Sequence, residues 1–206
     1  MAEALPPLLA EELEALPIFP LGNVALFPHA SLPLHVFEPR YRQMTRDVLS
    51  GNRLLAVARL KPGFEDDYAG RPPVFDVCGV GRIARGDELP DGRYNILLRG
   101  ISRVRIVEEL LPEHAYRVVR AEQLSDRDAD LALVSAWQQR LSLLWLELAP
   151  HLPPAVRDLR ELTRDALDAG GYADRITSAL IADPNDSQRL LEELDPAERL
   201  HFLVER

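Results

Sequence analysis

The chain has 206 residues, which is enough for one domain or two small domains with a sizeable core. Acidic residues outnumber basic ones by 33 to 24, and the net charge of -9 counts against a general nucleic-acid binder. The only cysteine, Cys78, excludes an internal disulfide and any multi-cysteine metal site. Lys61 is the only lysine, so Schiff-base, P-loop or Ser–Lys chemistry would have to use this one residue.

The start of the sequence does not resemble a targeting segment. Its first residues are acidic where a secretory signal is basic, and no run approaches the ~20 apolar residues that span a bilayer. The composition therefore predicts a soluble, cytoplasmic protein with no membrane contact. Residues 1–15 are expected to be either a tail or a short helix with Leu9, Leu13 and Leu16 on one face.

Short apolar segments separated by glycine and proline predict β-strands across residues 16–125. One helix interrupts them, from Arg40 to about Leu49. Gly100 and Ser102 predict a tight reversal of the chain. Short strands with a single helix favour a barrel or two packed sheets over alternating strands and helices. The predicted strands are Leu16–Leu21, Leu32–Phe37, Arg53–Leu60, Val74–Arg85, Tyr94–Arg99, Arg103–Leu111 and Tyr116–Leu124.

The apolar period becomes helical after these strands, so residues 126–206 are predicted to form a helical bundle. The first helix of this part spans ~20 residues. The second is predicted to follow Pro153 or Pro154 and to end at Gly170-Gly171. Two further helices begin with an Asp-Pro pair followed by an acid, which is typical of a capped helix start. These two starts are at Asp183 and Asp195.

The sequence contains one partial cofactor motif, Gly79-Val-Gly81-Arg-Ile-Ala84, which matches a dinucleotide fingerprint. That fingerprint works only when a helix opens at the glycines, and further glycines and a proline follow too closely here. We therefore predict glycines inside one long bent strand, and no cofactor site. The histidines have no metal-ligand spacing, and Cys78 lies in an apolar strand, as is typical of an inert thiol. No catalytic or metal-binding residue is predicted.

Several arginines on the predicted strands could gather into a local basic patch despite the negative net charge. The favoured interpretation is that they lie on solvated outer faces with acids nearby. These arginines are Arg82, Arg85, Arg99, Arg103, Arg105, Arg117 and Arg120.

The most informative segment is an apolar ribbon, residues 16–41, which five prolines interrupt. Proline withholds a backbone N–H from a strand ladder, so the ribbon is expected at a sheet edge or at bends. Glu38 and Arg40 flank Pro39 at the start of the predicted helix, which positions them for a fixed ion pair. This pair either supports the fold, which is the favoured interpretation, or contacts a ligand.

The ribbon resembles the N-terminal substrate-binding domain of Lon proteases, in its stand-alone form. The resemblance implies an α+β fold, with a PUA-like, mostly antiparallel β-barrel containing one inserted helix over residues 16–125, followed by an α-helical bundle over residues 126–206. It implies neither ATP hydrolysis nor peptide cleavage, because the chain has no Walker motif and its only lysine lies in a predicted loop. The matching segments are Ile18-Phe-Pro-Leu21, Leu26-Phe-Pro28, Leu32-Pro-Leu34, Val36-Phe-Glu-Pro-Arg-Tyr41, Gly81-Arg-Ile-Ala84, residues 94–106 and residues 190–200.

The resemblance implies a non-enzymatic module that binds protein or peptide segments. Its expected partners are unfolded or extended polypeptides, and a Lon protease or another protein. A strand edge accepts such a segment through its backbone, and side-chain pockets add selectivity. RNA binding is the alternative, because PUA-like barrels bind RNA in other families, whereas no group of residues supports an enzyme acting on a small molecule. The candidate contacts, of which several have to be core, are Phe19, Phe27, Leu34, Phe37 and Tyr41.

Overall fold

Six β-strands and six α-helices are found in the described part of the chain. The computed structural model describes residues 7–67, 70–164, 166 and 168–206. The chain divides into two compact units, of which the first ends at Leu124 and the second begins at Ser125. The first unit contains β1 (Leu16–Leu21), β2 (Ser31–Val36), α1 (Pro39–Ser50), β3 (Leu54–Arg59), β4 (Val77–Glu88), β5 (Tyr94–Glu109) and β6 (Arg117–Leu124).

The six strands form one mixed sheet in the order β2-β5-β4-β3-β1-β6. The pairing of β1 with β3 is parallel and the other pairings are antiparallel, which confirms the mostly antiparallel α+β class. The second half of β5 also pairs with β6, so the sheet curls back on itself. Among the described residues, β2 pairs with β5 alone and lies at an edge. The fold is therefore a curled mixed sheet with α1 inserted between β2 and β3.

The predicted reversal at Gly100 and Ser102 is wrong, because β5 runs without a break from Tyr94 to Glu109. Gly100 is required for a different reason. The backbone of the segment between β1 and β2 lies directly on it, and a Cβ at this position would overlap the carbonyl oxygen of Phe27. The amide of His29 also donates to the Gly100 carbonyl at 3.1 Å, and the Gly100 amide donates to the Ala30 carbonyl at 2.9 Å.

Gly79 on the neighbouring strand β4 makes a similar close approach, since a Cβ there would overlap the carbonyl of Leu26. We call Gly79 and Gly100 together the glycine cradle, because the backbone of Leu26 and Phe27 lies across them. The prediction of glycines inside one long strand is confirmed for β4, which runs through Gly79 and Gly81 with a register shift after Val80.

The sheet has an apolar cluster on each face, and β3 contributes to both. All six residues of β3 are buried, and successive side chains of a strand point to opposite faces. Accordingly, Leu54 and Ala56 belong to the first cluster, and Leu55 and Val57 belong to the second. The helix α1 covers the second cluster with the face that carries Met44. The predicted helix at this position is confirmed.

Residues 10–13 form a short 3-10 helix that is fixed to the sheet. The carboxylate of Glu12 accepts from Arg82 at 2.8 Å and from Asn52 at 3.1 Å, and Leu13 is buried in the first apolar cluster. The hydrogen bond from Arg82 lowers the pKa of Glu12 below its usual range. This part of the chain before β1 is therefore anchored by one buried ion pair.

The second unit contains five α-helices in its described residues, and each begins at an aspartate whose carboxylate accepts from the first backbone amides. The predicted starts at Asp183 and Asp195 are confirmed. The predicted second helix ending at Gly170-Gly171 is wrong. The chain instead forms a 3-10 turn at Pro154–Val156 and a short helix, and the two glycines lie in the first turn of another helix. The helices are α2 (Leu131–Leu148), α3 (Leu159–Thr163), α4 (Ala169–Leu180), α5 (Pro184–Glu192) and α6 (Pro196–Glu205).

The reason for glycine at position 170 is the buried guanidinium of Arg199. Arg199 donates to Asp174 at 2.5 Å and also to Asp126, and its side chain has no exposed surface. A Cβ on Gly170 would overlap the Asp126 carboxylate. Asp126 is thus a partner of this arginine, and Asp130 caps α2. No helix in the described ranges is both long and apolar enough to cross a membrane.

The glycine cradle should be intolerant of any side chain. We expect Gly100→Ala to destabilise the first unit by about 3 kcal/mol, because the added methyl forces the Phe27 backbone off the sheet. The readout is labelling of Cys78 by a thiol reagent in increasing urea, since Cys78 lies buried in β4 and reacts once the sheet opens. Gly51→Ala is the control, because a Cβ there meets nothing closer than 3.5 Å. Equal shifts for the two variants would contradict the prediction.

Loss of the buried arginine should unfold the helical unit at lower denaturant. Arg199→Leu removes the positive charge that pairs with buried Asp174, so we expect a cost of about 3–5 kcal/mol. Both tryptophans, Trp137 and Trp145, lie in this unit, so tryptophan fluorescence in urea follows its unfolding. Arg164→Leu removes an exposed ion pair in the same unit and should cost less than about 1 kcal/mol. A similar midpoint for both variants would show that the buried pair adds little.

Candidate functional site

Three of the five predicted contacts are core side chains. Phe19, Phe27 and Tyr41 are each 5% exposed or less, and the rings of Phe19 and Tyr41 pack with their centroids 4.5 Å apart. The apolar spacing of the ribbon identified these residues but did not reveal which face of the sheet each one occupies. Their rings are buried, so they offer almost no surface to a ligand.

Only part of the ribbon, residues 16–41, lies at the edge of the sheet. Strand β1 pairs on both sides, with β3 and with β6, although it contains Pro17 and Pro20. Strand β2 provides the edge, and its side chains alternate between the sheet core and the outside. Leu34 is half-buried against the second apolar cluster, and Pro33 and His35 are exposed.

The exposed end of this strand carries an aromatic pair. Phe37 is 60% exposed, and the ring of His35 stacks on it with a centroid separation of 6.3 Å. The His35 ring is held in place, since its Nδ1 lies 2.7 Å from Oδ1 of Asn95 and Arg93 donates to its Nε2 at 3.2 Å. We call Leu34, His35 and Phe37 the β2 strip. His35 and Phe37 form its exposed aromatic face, and Leu34 lies on the other face, against the second apolar cluster. Among the described residues, the backbone of β2 is unpaired on one side.

The predicted ion pair follows directly after the β2 strip. Both Nε and Nη2 of Arg40 lie 3.1 Å from Oε2 of Glu38, and each side chain is about four-fifths buried. The guanidinium also lies over the ring of Tyr41, 4.7 Å from its centroid. The pair therefore fixes the entry to α1, and it also brings Arg40 to the wall of a pocket.

This pocket, of about 250 Å³, lies at the start of α1. We call it the arginine pocket because three arginines line it, together with His114 and Tyr116. Sequence analysis singled out Arg40 and Arg117 for other reasons and missed Arg71. These residues come from α1, from the segment before β4 and from the start of β6 with the loop before it, so no local motif could have grouped them. The three arginines are Arg40, Arg71 and Arg117.

The arginines on the strands do not form a free basic patch. Arg85, Arg105 and Arg120 each pair with an acid, respectively Asp87, Glu122 and Glu108. Arg82 pairs with Glu12, Arg117 with Glu109, and Arg103 is buried. The favoured interpretation of solvated arginines beside acids is confirmed for Arg85, Arg105 and Arg120. It is wrong for Arg82 and Arg103, which are buried.

The remaining titratable candidates are structural. Cys78 has no exposed surface, and burial raises the pKa of its thiol to about 12, which confirms the prediction of an inert thiol. Across the residues that the structure describes, no three His, Cys, Asp or Glu side chains are arranged to hold a metal ion. On α2 of the second unit, a cavity of about 590 Å³ adjoins the exposed side chain of Leu146.

Comparison with solved structures defines the class of fold. The N-terminal domain of the Mycobacterium avium complex Lon protease superposes with a TM-score of 0.71 at 17% identity, covering 93% of this chain and 96% of that one. A Lon N-terminal domain protein from Xanthomonas campestris gives a TM-score of 0.61 at 23% identity, covering 93% of this chain and 97% of that one. The two units therefore have the fold of a Lon N-terminal domain.

Sequence comparison specifies the family. The family described as the ATP-dependent protease La (LON) substrate-binding domain matches residues 15–206, and the chain belongs to it. The Lon protease of Trichlorobacter lovleyi is 31% identical over 204 residues, which cover 95% of this chain and 24% of that protein. The Lon protease of Dictyoglomus thermophilum is 26% identical over 187 residues, which cover 91% of this chain and 23% of that protein. The chain thus spans about a quarter of the length of these relatives.

Tyr116, in the wall of the arginine pocket, should titrate unusually late. Burial, together with a 3.0 Å hydrogen bond to Asp47, raises the pKa of its phenol from 10.0 to about 12. Because the unfolded phenol ionises first, its contribution to stability is complete below pH 10 and is lost as the pH rises through about 12. The measurement is the difference in phenolate absorbance between the wild type and Tyr116→Phe.

Asp47→Asn should move that titration towards lower pH, because it removes the negative charge beside the phenol. Asp91→Asn, which changes an exposed acid paired with Arg93, is the control and should leave the titration in place. A difference titration that is already centred near pH 10 in the wild type would show that Tyr116 is not shielded.

Proposed function

We propose that this chain is a non-enzymatic module that binds extended or unfolded polypeptide segments along the β2 strip. Membership of a substrate-binding domain family supports a role in binding. The observation that carries the proposal is the exposed edge of β2, with Phe37 60% exposed at its end. This edge offers backbone groups and apolar contact at one place.

The geometry of an edge strand explains how such a segment is held. An added strand pairs with the backbone of β2, which gives affinity that does not depend on sequence. Alternate side chains of the added strand then face Leu34 on one side and His35 on the other. Phe37 supplies the largest exposed apolar surface of the strip, so burial of its ring contributes most of the side-chain affinity.

We also propose that the module catalyses no reaction. The buried ionisable groups of the two units serve the fold: Arg82 anchors the 3-10 helix, Arg199 joins two aspartates, and Cys78 packs in the sheet. We propose that bound segments are passed to a Lon protease or to another protein partner in the cytoplasm. RNA binding has less support, because the strand arginines named above are paired with acids or buried.

The proposal is tested by the affinity of a fluorescent, unfolded peptide that contains alternating apolar residues, no acidic side chain and an amidated C-terminus. Phe37→Ser should weaken its binding about tenfold, since it removes the central aromatic contact. The measurement is fluorescence anisotropy, with a folded globular protein and a single-stranded RNA as alternative ligands. Neither alternative ligand should bind as tightly as the peptide.

Leu146→Ser is the matched control, because it removes an exposed leucine of α2 in the other unit. It should leave peptide affinity unchanged. If Leu146→Ser weakens binding and Phe37→Ser does not, the peptide binds to α2 and the β2 strip is the wrong site. Binding no tighter than that of the folded protein would overturn the proposed function itself.

A further inference from the structure

We infer that the arginine pocket binds a single carboxylate of the polypeptide segment that lies on the β2 strip. This inference rests on the proposed function and adds a chemical preference to it. The carboxylate is either an acidic side chain or the C-terminus of the segment. Phe37 and Arg40 are separated by Glu38 and Pro39, so the strip leads directly to the wall of the pocket.

One acid, Glu109, is shared between two of the three arginines. Some of their N–H donors are therefore left for a ligand. Arg117 is fully engaged: Nε and Nη2 donate to Glu109 at 3.0 and 2.7 Å, and Nη1 donates to the Pro72 carbonyl at 2.7 Å. Arg71 contributes Nη1 to the same Glu109 at 2.8 Å, and its side chain is 40% exposed. Within the described ranges, its other two nitrogens make no hydrogen bond to protein, so they are available to an incoming oxyanion.

The other two donors are held against aromatic rings. The Arg40 guanidinium lies over the ring of Tyr41, and the ring of His114 is stacked on Tyr116 at 4.9 Å with an interplanar angle of 9°. Stacked groups lose little conformational freedom when a ligand arrives, so binding costs less entropy than it would with mobile surface side chains. The pocket is therefore ordered before its ligand enters.

Charge and size favour a carboxylate over a phosphate. The three arginines are matched in number by three nearby carboxylates: Glu38 and Glu109 form ion pairs with them, and Asp47 accepts from Tyr116 in the pocket wall at 3.0 Å. These acids oppose a singly charged carboxylate less than they oppose a phosphate dianion. A planar carboxylate also matches the fork of the Arg71 guanidinium. The volume of about 250 Å³ is below the usual range for drug-sized ligands and suits one side chain or one chain end.

Three peptides of one sequence test the inference by fluorescence anisotropy. The first has a glutamate after the apolar stretch and an amidated C-terminus, the second has glutamine there and a free C-terminus, and the third has glutamine and an amidated C-terminus. We expect at least one of the first two to bind about tenfold more tightly than the third. The tighter of the two identifies the source of the carboxylate. Equal affinity of all three peptides would overturn the inference while leaving the proposed function in place.

Arg71→Gln should reduce the affinity of the carboxylate peptide to that of the third peptide, and it should not affect the third peptide. Arg105→Gln is the matched control, because Arg105 is also a half-exposed arginine paired with a glutamate on the sheet unit. Inorganic phosphate is then added as a competitor of the carboxylate peptide that binds most tightly. Displacement of that peptide by sub-millimolar phosphate would overturn the preference for carboxylate. The affinity of the third peptide for Phe37→Ser tests the β2 strip separately, because this peptide carries no carboxylate; we expect it to fall about tenfold.

Discussion

The passage of the Leu26–Phe27 backbone over the glycine cradle is the constraint on which the rest of the sheet unit depends. Main chain lies directly on β4 and β5 at Gly79 and Gly100, where no side chain fits. This crossing carries the chain from β1, inside the sheet, to β2, at its edge. It therefore determines that β2 has a free side and that Phe37 and the start of α1 follow at the surface. The crossing also buries Phe27, which sequence alone places among the ligand contacts.

Local chemistry was predictable and long-range packing was not. The start of α1, the aspartate caps and the ion pair of Glu38 with Arg40 all depend on residues a few positions apart, and each was predicted. From sequence alone, Gly100 predicts a chain reversal and Gly170 a helix end, because glycine is common at both. Their actual neighbours, Phe27 and Asp126, are distant in sequence, so no local pattern could indicate that space was the reason for glycine.

The candidate site also has one part that a local sequence pattern predicts and one part that depends on long-range packing. The proline and apolar pattern predicts an edge that includes Leu34 and Phe37, but it does not separate exposed Phe37 from buried Tyr41. The arginine pocket was missed because its residues come from three separate segments. The net charge of -9 is also better understood. Aspartates cap each of the five helices of the second unit, and others neutralise Arg199, so much of that unit's acidity stabilises helices.

The pairing of β1 with β6 has a consequence for how the chain folds as it is synthesised. Leu16 lies beside Val119, so β1 leaves the ribosome about a hundred residues before β6, which pairs with it. Until then, β1 exposes an apolar strand with one side unpaired, which is the kind of surface that aggregates. A protein proposed to hold unfolded segments is thus itself vulnerable while the segments between β1 and β6 are being synthesised.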